Sequence, residues 1–284
     1  MNLNIYSIND DIVVYTDDNG NELSSSLSFI IESQMIEYFN NDDKIRISDL
    51  YKEKYRSELT IEKGLWGGIS IYKTSNTSYL SFLRCLFYMC MIISVLLAPR
   101  EVSLLGMKQP GGIVFFCLSF LFINTICQSY GYDSARKTLW INALLMFLSG
   151  SLLYVSSLMP AINDDVNYQE VVFSGMIKLC FINGFCSLIA DQINALVFKK
   201  VKYMTNNKAL WLRSLSSTFV SQFFFTILWI SFFKYENLFH IETYFFIFSN
   251  FKIKMIFAVI SLPVLYFFVR YLSSRVKISK VFIN

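Results

Sequence analysis

Asp191, Asn194, Asn124 and Gln128 all stand inside long apolar runs, where polar side chains are hardest to accommodate. An ionisable group at the centre of a bilayer costs about 2.5–3.5 kcal/mol on insertion scales, so each one needs a partner, a cavity or a purpose. Asp191 precedes Lys199 by eight residues, or ~12 Å of helix, which is too deep for a short carboxylate to reach water along a lipid-facing surface. Asn194 follows within one turn. Asn124 and Gln128 are four apart and stack on one helical face, with Tyr130 just beyond. Ser217 with Ser221 and Thr218 with Gln222 repeat that spacing. Hydroxyl pairs of this kind serve as glue between helices. Carboxamides and a carboxylate around one cavity instead present donors and acceptors side by side, which suits the edge of a flat heterocycle. The candidate substrate-binding residues are therefore Asn124, Gln128, Tyr130, Asp191, Asn194, Ser221 and Gln222.

Other chemistries are excluded by what accompanies these residues. The one histidine, His240, cannot build a His-based metal site alone, and no His/Cys set has zinc spacing. Cys85, Cys90, Cys117, Cys127, Cys180 and Cys186 sit in apolar runs, where cysteine behaves as a small hydrophobe, so reduced thiols are expected rather than disulfides. The apolar runs contain no Ser/His or paired-Asp arrangement for catalysis, so the expectation is a non-enzyme with no cofactor. No phosphate-binding loop is present, so ATP coupling requires a separate energy-coupling protein. The other partner left open is a second copy of the chain, and nothing points to nucleic acid.

Positioning such residues requires membrane helices. Of 284 residues, 54% are hydrophobic and only 16% charged, which nearly excludes a wholly soluble protein. From Tyr79 onward the chain divides into six apolar segments, approximately 79–98, 111–129, 138–159, 175–198, 214–234 and 252–272. Each has the length that crosses a ~30 Å hydrocarbon core as a helix. Lys and Arg number two in 130–137, five in 199–213 and three in 273–284, against two in 99–110 and none in 160–174 or 235–250. That asymmetry predicts a multi-pass protein of the inner (plasma) membrane with both termini cytoplasmic. Lys234, Lys252 and Lys254 are expected to snorkel at the outer ends of spans five and six, and Lys178 to anchor at the interface. The rings of 223–225 and 244–246 are expected to face lipid.

Residues 1–75 carry net charge −6 and residues 76–284 carry +10, so an acidic head precedes a basic membrane domain. The start of the chain lacks the pattern of a cleavable signal, which keeps the head cytoplasmic. Asp11–Thr16 reads as a strand ending at an Asn19-Gly20 turn. Leu27, Ile30, Ile31, Met35 and Tyr38 recur at helical spacing over about four turns, until a stop at Asn40–Asp43. A second helix is expected from Ser48 and a strand at Ile69–Tyr72, giving a small α+β unit. The pairs Asp10-Asp11, Asp17-Asp18 and Asp42-Asp43 lack the alternating register of a calcium loop and read as solvated turns.

Four stretches, in order and with matching spacing, resemble the queuosine-precursor transporters of the vitamin-uptake type. They are Cys117–Arg136, with its Ile-Asn-Thr-Ile-Cys-Gln-Ser-Tyr-Gly core, Lys178–Asn194, the Leu-Trp-Leu-Arg segment that runs on to Gln222, and Lys252–Arg270 with its mid-helix Pro263. The resemblance covers about residues 80–275. It implies an all-α, six-helix membrane protein similar to the substrate-binding subunits of energy-coupling-factor importers. The implied substrate is a 7-deazaguanine-type queuosine precursor (preQ0, preQ1 or queuine) or a related deazapurine-like planar heterocycle. The departures are specific. The family's Asp and Glu in the second span fall on Asn124 and Gln128, its fourth-span Asp on Asn194 and Gln on Asp191, and its fifth-span Asp on Phe225. These exchanges change the donor/acceptor code of the pocket. The competing reading is a diverged, non-transporting membrane protein that anchors the head for an interaction.

Overall fold

In the computed structural model the described residues are 3–17, 20–32, 35–55, 59–63, 68–73, 77–159, 175–205, 209–233 and 241–275. His240, Lys234, the whole of segment 160–174 and most of segment 273–284, both used in the charge count, lie outside them. The described residues are mostly helical, with six helices long and apolar enough to cross a membrane and a small strand-containing region before them.

That region begins with an antiparallel sheet of β1 (Asn4–Asn9), β2 (Ile12–Thr16) and β3 (Glu22–Ser26) in the order β1-β2-β3. The first strand escapes sequence reading because polar residues interrupt its alternation. α1 (Leu27–Glu32) is shorter than the four turns expected, and a 3₁₀ turn follows at Met35–Tyr38. The expected stop at Asn40–Asp43 is instead a start. Asn40 Oδ1 accepts from the Asp43 backbone N–H at 2.8 Å, capping α2 (Asn41–Tyr55), whose first turn holds Asp42 and Asp43. Asn and Asp satisfy the free N–H groups at a helix start and carboxylates favour its positive end, so the residues that end one element begin the next. Asp42-Asp43 is thus no turn. β4 (Leu59–Lys63) pairs with β5 (Ile69–Lys73) in a hairpin. Val13, Ile30, Ile36, Ile47 and Ile71 meet in one buried cluster, so the head has its own core.

The bundle comprises α3 (Thr77–Leu97), α4 (Ile113–Tyr130), α5 (Tyr132–Ser157), α6 (Gly175–Met204), α7 (Leu210–Phe233) and α8 (Ile241–Arg275). Their order of packing places α6 between α5 and α7, and α4 between α3 and α8; α4 is the most enclosed. Helices α5, α6, α7 and α8 each extend four residues or more past an expected limit, α7 by starting at Leu210. α5 takes in Arg136 and Lys137, α6 continues through Lys199 and Lys200, and α8 begins eleven residues early, so Lys252 and Lys254 lie well inside it. Exposed rings and aliphatics at Leu144, Leu152, Phe223, Phe245, Ile260 and Phe267 give the bundle an apolar outer surface. Phe225 departs from its neighbours, being 3% exposed and turned inward.

Two glycines set the helix junctions. Gly131 (φ 93°) joins α4 to α5 with a backbone conformation that side chains disfavour. Gly112, at the start of α4, lies so close to α3 that a Cβ there would run into the Ser94 carbonyl. Between α3 and α4 stands a second hairpin, β6 (Glu101–Leu104) and β7 (Met107–Pro110). It is pinned to α8: Gln109 Nε2 donates to Ser249 Oγ at 3.2 Å, and Asn250 Nδ2 donates to Gln109 Oε1 at 2.8 Å.

The head docks on the opposite end of the bundle. Glu62 of β4 takes two bonds from Arg84 Nη2 (2.9 and 3.1 Å), one from Ser134 Oγ (2.6 Å) and an ion pair from Lys137 (3.0 Å). Burial opposes ionisation of Glu62, but the bonds from Ser134 and Lys137 and the charge of Arg84 outweigh it and hold the carboxyl below its usual range. Deeper in, Glu37 accepts from the Tyr132 backbone N–H at 2.8 Å and faces Lys202 at 3.8 Å, and Tyr38 packs edge-on against Tyr203.

Candidate functional site

Two of the polar residues singled out above, Asn124 and Asn194, meet at the core of the bundle with Ser214, which was not among them. Asn194 on α6 donates its Nδ2 to Asn124 Oδ1 on α4 at 3.1 Å, and Asn124 Nδ2 donates to Ser214 Oγ on α7 at 3.1 Å. The register is dictated by helical periodicity, which stacks Asn124 and Gln128 on one face of α4 and Asp191 and Asn194 on one face of α6. All three members of the relay are buried. Beside it lies a narrow cavity of about 10 Å³ lined by Asn124, Ser214, Thr218, Gln222 and Lys254 among others, room for about one water. Gln222 is 1% exposed, and neither end of its carboxamide has a hydrogen-bond partner among the described residues. A buried carboxamide left open in this way suits a ligand that brings both a donor and an acceptor.

The remaining candidates sit elsewhere. Ser221 is fully buried, but its hydroxyl bonds the Thr218 carbonyl of its own helix, as helix glue does. Gln128 is half-buried and Tyr130 buried at the head-facing end of α4, and neither lines the cavity. Asp191 is 3% exposed and does not line the cavity either.

Lys254 is the residue that sequence reasoning placed wrongly. Expected to snorkel at a helix end, it is 5% exposed within α8. Its Nζ donates to Thr226 Oγ1 at 3.1 Å and stands 4.8 Å from the Phe116 ring centroid and 4.6 Å from that of Phe225. The π faces of two rings attract a cation and make up part of its lost hydration. Among the described residues no carboxylate comes within ion-pair distance of it. A signal was available: Thr243, Asn250 and Lys254 recur at i, i+7 and i+11, one buried polar stripe on an otherwise apolar helix. Asn183, Ser187, Asp191 and Asn194 form a similar stripe on α6, and Asn183 was likewise passed over. Among the described residues no group of acidic, Cys or His side chains could hold a metal ion.

The family described as "Putative vitamin uptake transporter" matches residues 110–268, more than half of the chain, and these residues hold the whole relay. A protein of Bacillus subtilis (strain 168) described as "Probable queuosine precursor transporter" is 25% identical over 175 residues, covering 59% of this chain and 74% of that protein. No solved structure matches the chain significantly.

Proposed function

Given that the chain belongs to the vitamin uptake transporter family, we propose that it imports a queuosine precursor or a related planar heterocycle across the plasma membrane. What carries this reading is the amide relay Asn194–Asn124–Ser214 beside the open carboxamide of Gln222, which supplies donors and acceptors at one level of the bundle. The similarity to a queuosine-precursor transporter of B. subtilis supports the substrate class. Both termini are assigned to the cytoplasm: Lys199, Lys200, Lys202, Arg136 and Lys137 gather at the head-facing end of α5 and α6, as the positive-inside rule requires. The head then covers the cytoplasmic mouth and the β6–β7 hairpin faces outward. Binding among α4, α6 and α7 followed by helix rearrangement would release the substrate inward.

The alternative, an anchor that presents the head to another protein, draws less support. Two acidic groups of the head, Glu37 and Glu62, are committed to the bundle itself.

The test is rescue of a bacterium that lacks both queuosine-precursor synthesis and its own importer. Expression of the chain with trace precursor should restore queuosine in tRNA, and Asn124→Ala should abolish the rescue. No queuosine above the empty vector, with membrane insertion confirmed, would overturn the substrate assignment.

A further inference from the structure

A second cavity, of about 50 Å³, lies at the hairpin end of the bundle, walled by Phe116, Asn183, Phe225, Trp229, Asn250 and Lys254 among others. Among the described residues Lys254 alone lines both this cavity and the narrow one beside Asn124. We propose that the hairpin-end cavity is a separate capture subsite for a flat ring that carries a hydrogen-bond acceptor. It rests on the transporter reading only in being called a capture site.

The chemistry follows from the walls. Asn183 is 4% exposed, and its Nδ2 has no hydrogen-bond partner among the described residues. An amide donor buried without an acceptor costs about 1–3 kcal/mol, a deficit that an incoming carbonyl, ring nitrogen or carboxylate removes. Lys254 Nζ offers three hydrogens and uses one on Thr226. Among the described residues the cavity wall contains no carboxylate, and the open Asn183 Nδ2 with the Lys254 ammonium gives its polar edge donors that disfavour an ammonium ligand. The rings of Phe116, Phe225 and Trp229 supply the apolar faces against which a planar ligand stacks. A benzene-sized ring needs a cavity of about 150 Å³, so one wall must yield. Asn250 is the wall residue held by a side-chain bond to the hairpin, through Gln109, rather than by packing alone. Opening that latch widens the cavity toward the side where β6–β7 sits.

This assigns a ligand preference opposite in sign to that of an acid-lined pocket. Neutral or anionic acceptor-bearing rings are taken, and rings that carry an aminomethyl cation are refused.

The test is equilibrium binding of benzoate, benzamide and benzylamine to the full-length protein in lipid nanodiscs, read by Trp fluorescence with Trp229→Phe identifying the responding residue. Benzoate and benzamide should bind at least tenfold more tightly than benzylamine, and Asn183→Leu should weaken them at least tenfold. Asn183→Asp keeps the size of the side chain while replacing its donors, and should shift the preference toward benzylamine. Equal binding of all three probes, or affinities unchanged by both substitutions, would overturn the subsite. Uptake of the uncharged precursor preQ0 that persists unchanged in Asn183→Leu would also remove the subsite while leaving the transporter reading intact. Probe binding that depends on Asn183 without any uptake would sink the transporter reading alone.

Discussion

Asn124 is held from both sides at once, accepting from Asn194 Nδ2 and donating to Ser214 Oγ, each at 3.1 Å. One carboxamide therefore ties α4 to both α6 and α7. Asn124→Leu would strand a buried donor on Asn194 and a buried hydroxyl on Ser214. Each unsatisfied group costs about 1–3 kcal/mol. The expected outcome is a lower melting temperature together with loss of precursor uptake, measured on purified protein and in cells. Unchanged stability would show that water replaces both partners without penalty.

Lys254 gives the opposite pairing of effects. A buried charge without a carboxylate partner contributes little to stability, and an apolar replacement of similar length is often neutral or stabilising. Lys254→Met should leave the melting temperature equal or higher while uptake falls at least tenfold. Lys254→Arg should not rescue, because a planar guanidinium does not fit a cage shaped for a compact ammonium. Wild-type uptake by Lys254→Met would make this lysine a packing element only.

Docking of the head should depend on pH through Glu62. Its folded-state pKa lies below the usual carboxylate range, so its contribution is complete above the ordinary Glu value of about 4.3. That contribution is lost as pH falls through the lower, folded value. Hydrogen exchange of the β4–β5 hairpin should stay slow from pH 7 to about 5, and accelerate only below pH ~4. Arg84→Ala removes one partner of a mostly buried pair, which costs about 3 kcal/mol, and should free the hairpin at neutral pH. Release of the hairpin in wild type between pH 5 and 7 would contradict this assignment.

Gly112 tests the close approach of α3 and α4. A Cβ there meets the Ser94 carbonyl, which is backbone and cannot turn aside. Gly112→Ala should cost about 3 kcal/mol or more, at the severe end for overpacking, and sharply lower the yield of folded protein. Gly184→Ala is the control, since its new methyl would meet the Met146 Cβ at 3.1 Å and needs only a small shift. Equal yields from the two variants would disprove the packing argument.

The six spans were legible because apolar length is a property of composition, and no tertiary contact is needed to see it. Helix limits were not, since Arg136, Lys199 and Lys254 carry the charges that ordinarily mark a membrane boundary. In three dimensions Lys199 packs over the Tyr132 ring and Lys254 is caged by two rings, so the helices run on through them. Asn40–Asp43 was misread because the same residue types end and begin helices, and only the Asn40–Asp43 bond distinguishes the two. Of the candidate site, Asn124, Asn194 and Gln222 could be grouped by spacing within helices. Asn183 and Lys254 face one cavity from different helices, a relation that no single-helix pattern contains.

The contact of the head with α5 and α6 has a consequence for the order in which the molecule is made. Residues 3–73 leave the ribosome before any span, yet Tyr132 and Lys202, which receive Glu37, belong to the third and fourth spans. At translation speeds of about 5–20 residues per second the interval is on the order of 10 s. During that time Glu37 lacks its partners Tyr132 and Lys202, and Tyr38 lacks the ring of Tyr203. A segment synthesised ahead of the six spans is thus among the last to reach its final contacts, and its exposed face is open to chaperones and proteases until the fourth span has entered the membrane.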